Sequence, residues 1–523
     1  MMLALLPLGA VKLPAWFSDN MVLQQTDTET SLPLRSFLSG LAAPHETVHI
    51  TGGAGSYSVT ADGDGAWKAT LDPQHATGKP FSITISGAEG PSVTANNVLA
   101  GDVFFCSGQS NMVYPLHLAF NATAEAATIS NHPNFRFFMT ERSMSPTPLF
   151  DFSGNGTCDS SYVNKSLSAC NRWLTAAEAA GDYVEAFSAV CYMTVRDIAK
   201  LHTGDRPIAL IQSAWGGTRV EAWMAAADIA AAGAPVTGNV PHGSGPNEQS
   251  VLYNAMVAPW DPFSIRAMLW YQGEANANEL TNHNQSISYY ANAYQAMIAG
   301  WRERKGVGDF AVLTVQLPPS VNSSMAASNP ITGRPEIRIA EMEAAAHAGG
   351  ATHVSGTAVT LDLGGSSAWG VDHPPNKNEI ARRLALQALY VTYAIQTWAY
   401  SGPVLETAEV SAGTIVLKFA GWSATGGLAL RDVKAANIDG SRNDCVQCCA
   451  KAPPFELSAD GGKTWRRVSR AATDVVPYRT VKLTLAPSAP VPTHVRYAWA
   501  DYVDCVLENG DGLVATPFSE PLA

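Results

Sequence analysis

The sequence predicts an α/β protein in which a parallel-sheet hydrolase domain is flanked by smaller β-sandwich-like N- and C-terminal domains. Two observations predict this class. Apolar strands alternate with helical stretches in the middle of the chain, whereas short β-rich runs separated by turn residues fill both ends. Hydrophobic residues make up 46% and charged residues 15% of the 523 residues, a balance that supports a large buried core. We expect four segments: 1–14, 15–100, 101–400 and 401–523.

The first two segments are read from local patterns. Residues 1–14 are mostly apolar but carry no basic residue ahead of the apolar stretch, so they can be the remnant of a signal peptide or an ordinary first strand. Residues 15–100 contain the runs ETVHITG, YSVTADG, AWKATL and FSITISG, with Gly, Asp and Pro between them. That spacing is typical of a β-sandwich.

The middle segment alternates two kinds of pattern. The strand-like runs DVFFC, PIALIQ, IRAMLWYQ and DFAVLTVQL alternate with the helical stretches EAFSAVCYMTVRDIAKLH and YYANAYQAMIAGWRERKG. This order predicts a parallel sheet covered on both faces. Asn376 and Glu379 predict the start of a final long helix. Its apolar stripe consists of Ile380, Leu384, Ala388, Val391 and Ile395. Beyond residue 401 the β-rich texture returns.

The charge balance excludes some partners. The chain has 33 Lys and Arg against 45 Asp and Glu, a formal net charge of −12. No positive field is therefore available to attract a phosphate backbone or an anionic lipid surface. No apolar run reaches the roughly 20 residues that a membrane-spanning helix needs. We expect neither a nucleic-acid nor a membrane partner.

Cysteines and glycosylation signals are compatible with an exported protein. The chain has eight cysteines. Three of them form the cluster CVQCC at Cys445, Cys448 and Cys449, which together with Cys505 does not make the two spaced pairs of a zinc site. Disulfides are the preferred interpretation, with free thiols and a metal site as alternatives. Asn-x-Ser/Thr signals occur at Asn121, Asn155, Asn164, Asn284 and Asn322.

The first loop of interest follows the apolar run 103–105 and reads CSGQSNM. Ligands of an open parallel sheet bind beyond the carboxyl ends of its strands. Ser110 would therefore present its hydroxyl and its own backbone N–H to a substrate there. Met112 replaces the second glycine of a Gly-x-Ser-x-Gly elbow. The alternative for this serine is an ordinary turn or helix cap.

Two further loops offer hydrogen-bond donors. In SAWGGT (213–218), the amide of Gly217 is a candidate anion donor, and Thr218 with Glu221 has the spacing of a capping box for a helix near residue 220. In YQGEAN (271–276), the amides of Gln272 and Asn276 can donate to a developing oxyanion without changing protonation. The alternatives are a plain glycine turn and loop-stabilising hydrogen bonds.

The fourth loop, VDHPPNK (371–377), contains the candidate base. A histidine titrating near neutrality can take the proton of a serine and return it to a leaving group. His373 stands directly before the final helix, beside Asp372. Adjacent residues of an extended segment face opposite ways, so Asp372 would need a local bend to hold the imidazole.

These loops belong to six ordered motifs that resemble the blocks of the SGNH-type hydrolases and, more closely, the sialate O-acetylesterase family. The likeness runs from residue 17 to about residue 389, with weaker likeness in the tail. The motifs are FSDNMVLQQ (17–25), GDVFFCSGQSNM (101–112), IALIQSAWGGTRVEAW (208–223), VLYNAMVAPW (251–260), LWYQGEAN (269–276) and HPPNK (373–377).

The resemblance implies a set of catalytic roles. Ser110 would be the nucleophile and His373 the general base. The amides of Ser110 and Gly217 would form the oxyanion hole, with Gln272 or Asn276 as a side-chain donor. Many SGNH hydrolases place an aspartate three residues before the histidine, where this chain has Gly370. Either Asp372 substitutes for it or a backbone carbonyl orients the imidazole, and we favour the Ser-His dyad.

The resemblance also implies a substrate. The expected activity is hydrolysis of O-acetyl esters of sialic acids, without metal or cofactor, in a secreted or lysosomal-type compartment. Trp215 and Tyr271 are candidates for stacking on a sugar, or else core aromatics. Arg219 is a candidate partner for the sialic acid carboxylate, or else faces solvent. The rivals are an acetylesterase for another carbohydrate such as xylan and a non-catalytic carbohydrate-binding protein, which would need neither nucleophile nor base.

Overall fold

The computed structural model describes most of the chain. The described residues are 10–26, 34–88, 90–154, 156, 158, 169–233, 244–277, 287–306, 308–320, 333–347, 354–396, 399–436, 442–444, 447–451, 453–476 and 478–523. The α-helices are α1 (Ser110–Val113), α2 (Ala122–Ala127), α3 (Ala176–Ala179), α4 (Asp182–Ala186), α5 (Ala189–Ile198), α6 (Ala226–Ala232), α7 (Ile287–Lys305), α8 (Arg334–His347), α9 (Lys377–Tyr393) and α10 (Cys448–Lys451).

The strands form one large sheet and several small ones. In the first half of the chain they are β1 (Val22–Gln24), β2 (Phe37–Leu41), β3 (Thr47–Gly52), β4 (Gly55–Thr60), β5 (Ala66–Thr70), β6 (Thr77–Ser86), β7 (Val93–Gly108), β8 (Phe135–Met139), β9 (Leu174–Thr175) and β10 (Ile208–Ala214). Then follow β11 (Ala267–Tyr271), β12 (Ala311–Val315), β13 (Ser355–Ala358), β14 (Leu405–Ser411), β15 (Thr414–Phe419), β16 (Leu428–Asp432), β17 (Lys434–Ala436), β18 (Arg442–Asp444), β19 (Phe455–Ser458), β20 (Arg466–Arg467), β21 (Thr473–Val476), β22 (Thr480–Thr484), β23 (His494–Tyr497), β24 (Cys505–Asn509) and β25 (Phe518–Pro521).

The central sheet has the order β13-β12-β11-β7-β10-β8-β9. Its neighbours are parallel except for the antiparallel edge pair β8/β9. Side chains alternate along the strands: Val103 and Phe105 belong to one buried cluster with α7 and α8, whereas Phe104 and Cys106 belong to another with α5 and α9. The predicted parallel core with helices on both faces is confirmed, as part of a mixed sheet.

Strand β7 joins the amino-terminal β region to this sheet. Its first half pairs with β6 in antiparallel and with β1 in parallel orientation, and its second half pairs with β10 and β11. The predicted boundary at residue 100 falls inside this strand. The other amino-terminal pairs are β3 with β4 and β6, and β2 with β5.

The carboxyl-terminal residues form small antiparallel sheets around their own apolar cluster. Charged groups connect this region to the central one. Arg383 of α9 and Arg431 of β16 both bond to the carboxylate of Asp362, and Arg338 of α8 donates to the carbonyls of Ala500 and Asp501. The division of the chain into four segments stays a prediction.

Two local predictions about the last helix had different outcomes. The side chain of Asn376 accepts from the backbone N–H of Glu379 at 3.3 Å, which confirms the predicted cap of α9. The helix ends at Tyr393, where Ala394 adopts a left-handed conformation. The prediction that Ile395 belongs to the helical stripe is therefore wrong, because it lies beyond the helix.

Within the described residues the cysteines pair as Cys106–Cys191, Cys158–Cys170 and Cys449–Cys505. The disulfide interpretation is thus confirmed at Cys449, while Cys445 lies outside the described residues. Of the glycosylation signals, Asn121 is exposed at the start of α2, and those at Asn155, Asn164, Asn284 and Asn322 lie outside the described residues. No helix in the described part of the chain is both long and apolar enough to span a bilayer.

Candidate active site

Ser110 lies at the first position of α1, directly beyond the carboxyl end of β7. The turn before it is tied to both neighbouring strands: the N–H of Gln109 donates to the carbonyl of Tyr271, and the N–H of Trp215 to that of Gly108. Gly108 has a φ of +133°, and a Cβ there would lie 2.2 Å from the Tyr271 carbonyl oxygen. Only glycine fits this close approach.

The hydroxyl of Ser110 meets the imidazole of His373. Serine Oγ lies 2.7 Å from Nε2, and the other ring nitrogen, Nδ1, lies 2.8 Å from the backbone carbonyl oxygen of Trp369. A carbonyl can only accept, so Nδ1 carries the proton and Nε2 is left to accept from the serine hydroxyl. This tautomer suits a general base.

A tight turn fixes the carbonyl of Trp369. Ser367 and Gly370 exchange backbone hydrogen bonds, and the N–H of His373 donates to the Gly370 carbonyl. Gly370 has a φ of +93°, in the left-handed region that favours glycine. The rings of Trp369 and His373 meet edge to face at 5.6 Å. Gly370, where many SGNH hydrolases carry an aspartate, is thus the residue that makes this turn.

The carboxylate of Asp372 is engaged elsewhere. Its Oδ1 lies 2.7 Å from Nη2 of Arg334, and the aspartate side chain is 46% exposed while the arginine is 3% exposed. Asp372 is therefore adjacent to His373 in sequence, but its side chain pairs with Arg334 of α8.

Burial is the main cause of a lowered pKa at His373. The positive charges of Lys377 and Arg334 act in the same direction, whereas the Trp369 carbonyl and the charge of Asp372 oppose it. The imidazole is therefore neutral, and able to accept a proton, at neutral pH.

The second predicted loop places Gly217 at the surface with a φ of +72°. Its carbonyl accepts from Nδ2 of Asn247, which fixes the orientation of the turn. The predicted capping box is wrong: the Thr218 hydroxyl donates to the carbonyl of Trp215, and the following segment, Val220–Trp223, is one 3-10 turn.

The two candidate amide donors lie beneath the surface. Gln272 is fully buried, and its Nε2 donates to the Asn276 side chain at 2.8 Å and to the Thr218 carbonyl at 3.1 Å. Asn276, also buried, accepts from the N–H of Val220 and donates to Glu221. Both amides thus connect the second and third loops.

The candidate sugar-binding residues differ in how far they are exposed to solvent. Trp215 is half-buried, and the guanidinium of Arg142 lies 6.0 Å from its ring centre. Tyr271 is fully buried, so its ring packs inside the protein and is not presented to a sugar. Arg219 is 7% exposed, so it does not face solvent as the alternative reading expected.

The sequence analysis assigned no role to three buried residues beside the Ser110–His373 pair, namely Asn111, Glu274 and Lys377. Asn111 donates from Nδ2 to Oε1 of Glu274 at 2.6 Å and to the carbonyl of Asp372 at 2.8 Å, and its Oδ1 accepts from Nζ of Lys377 at 2.6 Å. Each of the three lies in one of the motifs SNM, QGEAN and PNK. Their position in these motifs is the one sequence feature that could have marked them as functional. Within the described residues, no group of three His, Cys, Asp or Glu could hold a metal ion.

Comparisons with known proteins show what the chain is similar to. The profile of a family described as carbohydrate esterase, sialic acid-specific acetylesterase, matches residues 154–366. A sialate O-acetylesterase from Pongo abelii is 28% identical over 532 residues, covering 96% of this chain and 91% of the relative. The human sialate O-acetylesterase is 29% identical over 419 residues, covering 76% and 74%.

Among solved structures, a carbohydrate acetylesterase from Xanthomonas citri is 26% identical with a TM-score of 0.74, and the match covers 98% of this chain and 99% of that chain. Together, fold and comparisons define the class: the chain is a carboxylic ester hydrolase. The resemblance to the sialate O-acetylesterase family is thereby confirmed.

Proposed function

We propose that the chain hydrolyses O-acetyl esters of sialic acids to free sialic acid and acetate, with Ser110 as nucleophile and His373 as general base. The observation that carries the proposal is the chain of two hydrogen bonds from the Ser110 hydroxyl through the imidazole to the Trp369 carbonyl. A carbohydrate-binding protein without activity would need no such chain.

In the first half of the reaction, Nε2 of His373 takes the proton of Ser110 while Oγ attacks the acetyl carbonyl. The imidazolium that forms keeps its Nδ1–H on the Trp369 carbonyl. It then gives the proton from Nε2 to the departing sugar hydroxyl. In the second half, His373 takes a proton from a water molecule whose oxygen attacks the acetyl carbonyl, and then returns that proton to Oγ of Ser110 as acetate departs.

The oxyanion needs donors that are in place before the reaction. We assign this role to the backbone N–H groups of Ser110 and Gly217, which follow two neighbouring strands of the sheet. The amides of Gln272 and Asn276 already donate to protein acceptors, so we assign them to holding the loops in position.

The substrate is inferred from the relatives. Proteins named sialate O-acetylesterase match most of the chain, which supports a sialic acid ester. The structure from Xanthomonas citri, described only as a carbohydrate acetylesterase, keeps another acetylated sugar as the second candidate. Trp215 and Arg219 stay the predicted contacts for the sugar ring and the sialic acid carboxylate. The disulfides support an exported protein, in a secreted or lysosomal-type compartment.

The test is acetate release by the wild type and by Ser110→Ala from 9-O-acetylated sialic acid and from acetylated xylo-oligosaccharide at matched acetyl concentration. We expect release from the sialic acid ester only, lost in the variant. The substitution is conservative because it removes one oxygen atom from a half-buried side chain.

Other outcomes decide between the alternatives. Serine-dependent release from the xylo-oligosaccharide alone would keep the mechanism and replace the substrate. Full activity in Ser110→Ala would overturn the mechanism, and glycan binding without any release would favour the binding protein.

A further inference from the structure

Lys377 is a buried basic residue beside the Ser110–His373 pair. The side chain is fully buried at the start of α9, four residues after His373. Taking an ammonium out of water costs several kcal/mol unless it is well paired, and an apolar residue of similar volume is often equally stable in such a place. Packing alone therefore does not explain why a lysine occupies this position.

Those contacts connect the parts of the proposed catalytic site. Nζ of Lys377 donates to Oδ1 of Asn111, the neighbour of the nucleophile, and Asn111 in turn donates to Glu274 and to the carbonyl of Asp372, the neighbour of the base. Asn111 is fully buried and Glu274 is 6% exposed. One side chain thus fastens the loop after β7 to the loop after β11 and to the loop before α9.

Neighbouring groups offset part of the cost of burying a charge at Lys377. The ring centres of Tyr114 and Tyr271 lie 4.6 and 5.2 Å from Nζ. The carboxylate of Glu274 lies on the other side of Asn111 and favours the charged form. Glu341 of α8 in turn faces Glu274.

We propose that Lys377 is a positioning residue for the Ser-His pair: through Asn111 it holds the histidine loop at bonding distance from Ser110, and its ammonium opposes a second positive charge on His373. The inference rests on the proposed function, because it assigns a role relative to that nucleophile and base.

The electrostatic part has a definite sign. Burial lowers the pKa of Lys377 to about 7, so the ammonium is charged in the acid range where the imidazole titrates. That charge lowers the pKa of His373, as does Arg334, while Asp372 raises it. A base must be neutral to act, so kcat/KM falls as the pH falls through the pKa of His373. Removing the lysine charge raises this pKa and moves the acid limb to higher pH.

The first experiment uses Lys377→Met, which keeps the volume but removes the charge and the donor. With 4-nitrophenyl acetate we expect the acid limb of kcat/KM to move up by about 0.5–1 pH unit. We expect kcat at pH 8 to fall about 10²-fold, with KM changed less than about threefold, because the serine and the imidazole lose their alignment.

Lys305→Met is the matched control. Lys305 is also fully buried and donates to the carbonyls of Trp260 and Phe263, and burial lowers its pKa to about 8. It lies outside the proposed site. We expect this variant to lose stability in thermal unfolding while keeping the wild-type acid limb. The proposal is overturned if Lys377→Met matches this control in both the acid limb and kcat.

A second variant, Glu274→Gln, has nearly the same shape and tests the charge without touching the lysine. Without the carboxylate, Lys377 loses its proton more easily, so the acid limb again moves to higher pH. A direct effect of Glu274 on His373 would have the opposite sign, because removing a negative charge lowers the pKa of the imidazole. A shift to lower pH, or none, therefore contradicts the proposal even if Lys377→Met does not fold.

The proposed function fails separately from this inference. Hydrolysis that persists in Ser110→Ala would remove the mechanism itself. Activity that depends on Ser110 but is indifferent to Lys377 and Glu274 would remove only the role given to the lysine.

Discussion

Strand β7 has one buried carboxylate near its middle, Asp102, and another beyond its carboxyl end, Glu274 of the loop after β11, and the two differ in how completely they are hydrogen-bonded. Near its middle, Asp102 is fully buried and accepts from Arg266 at 2.6 Å, Gln25 at 2.7 Å and Tyr393 at 2.8 Å. Both carboxylate oxygens are used. Beyond the carboxyl end, Glu274 uses Oε1, but its buried Oε2 has no hydrogen-bond partner among the described residues.

We interpret the cluster around Asp102 as a structural anchor and the groups around Glu274 as part of the proposed catalytic site. A buried carboxylate saturated with donors stabilises one arrangement of the chain, whereas a buried polar atom without a hydrogen-bond partner costs free energy. Burial raises the pKa of Glu274, against the opposing charge of Arg334. We therefore expect substitutions around Asp102 to change stability and substitutions around Ser110 to change the rate.

The largest effect is expected for His373→Ala. Loss of the base should reduce kcat by about 10⁴–10⁶-fold. Because the imidazole is only partly buried, the melting temperature should change little. Initial rates with an acetyl ester and a thermal unfolding curve measure both quantities. His494→Ala, which removes a partly exposed histidine of the carboxyl-terminal region, is the control and should keep full activity.

Arg266→Met tests the other end of the comparison. It removes the charged donor that bonds to the buried carboxylate of Asp102 at 2.6 Å and leaves Nη1 of Arg206 at 3.8 Å, which should reduce the free energy of unfolding by about 3–5 kcal/mol in urea. The kcat per folded molecule should stay at the wild-type value. A large fall in kcat with unchanged stability would show that the Asp102 cluster and the loop of Ser110 are not separate in function.

Gln272→Ala should have an intermediate effect. The amide connects Thr218, Asn276 and the hydroxyl of Tyr290, so its loss should reduce the free energy of unfolding by about 1–3 kcal/mol. We expect kcat to fall less than about tenfold. A fall of about 10²–10³-fold at unchanged stability would instead assign the side chain to the oxyanion, since that is the typical contribution of such a donor.

The smallest effect is expected for Asp372→Asn. Its carboxylate pairs with Arg334 and raises the pKa of His373, so its removal should shift the acid limb of kcat/KM slightly to lower pH. The kcat should change less than about threefold. A loss near 10⁴-fold, the cost of removing a triad aspartate, would show that Asp372 holds the imidazole during turnover.

Local patterns were sufficient for much of the fold. Alternating apolar runs identified the central strands, and the Asn376 cap was confirmed at the start of α9. The capping box at Thr218 failed because its hydroxyl oxygen accepts from the indole N–H of Trp223 at 2.9 Å, and the turn that follows begins after Arg219. The spacing of Thr218 and Glu221 in the sequence is the same whether or not the capping box forms, so the sequence alone cannot predict it.

The arrangement at the site was less accessible to sequence reasoning. A backbone carbonyl, such as that of Trp369, has no residue-type signature and is present at every position of the chain. The burial of Tyr271 depends on what packs over the strand. The contacts of Lys377 depend on the meeting of three loops that are far apart in sequence. The roles of Ser110 and His373 themselves stay predictions.

Strand β7 pairs with amino-terminal strands along its first half and with central strands along its second half, which limits how the protein can be shortened. An expression fragment beginning at residue 101 would delete the first half of this strand together with β1 and β6, which pair with it. The new amino terminus would then lie within the strand that leads to Ser110. Side chains alternate along a strand, so a slip of one residue would exchange its two faces. A minimal fragment should therefore retain the amino-terminal β region, even if only the esterase reaction is wanted.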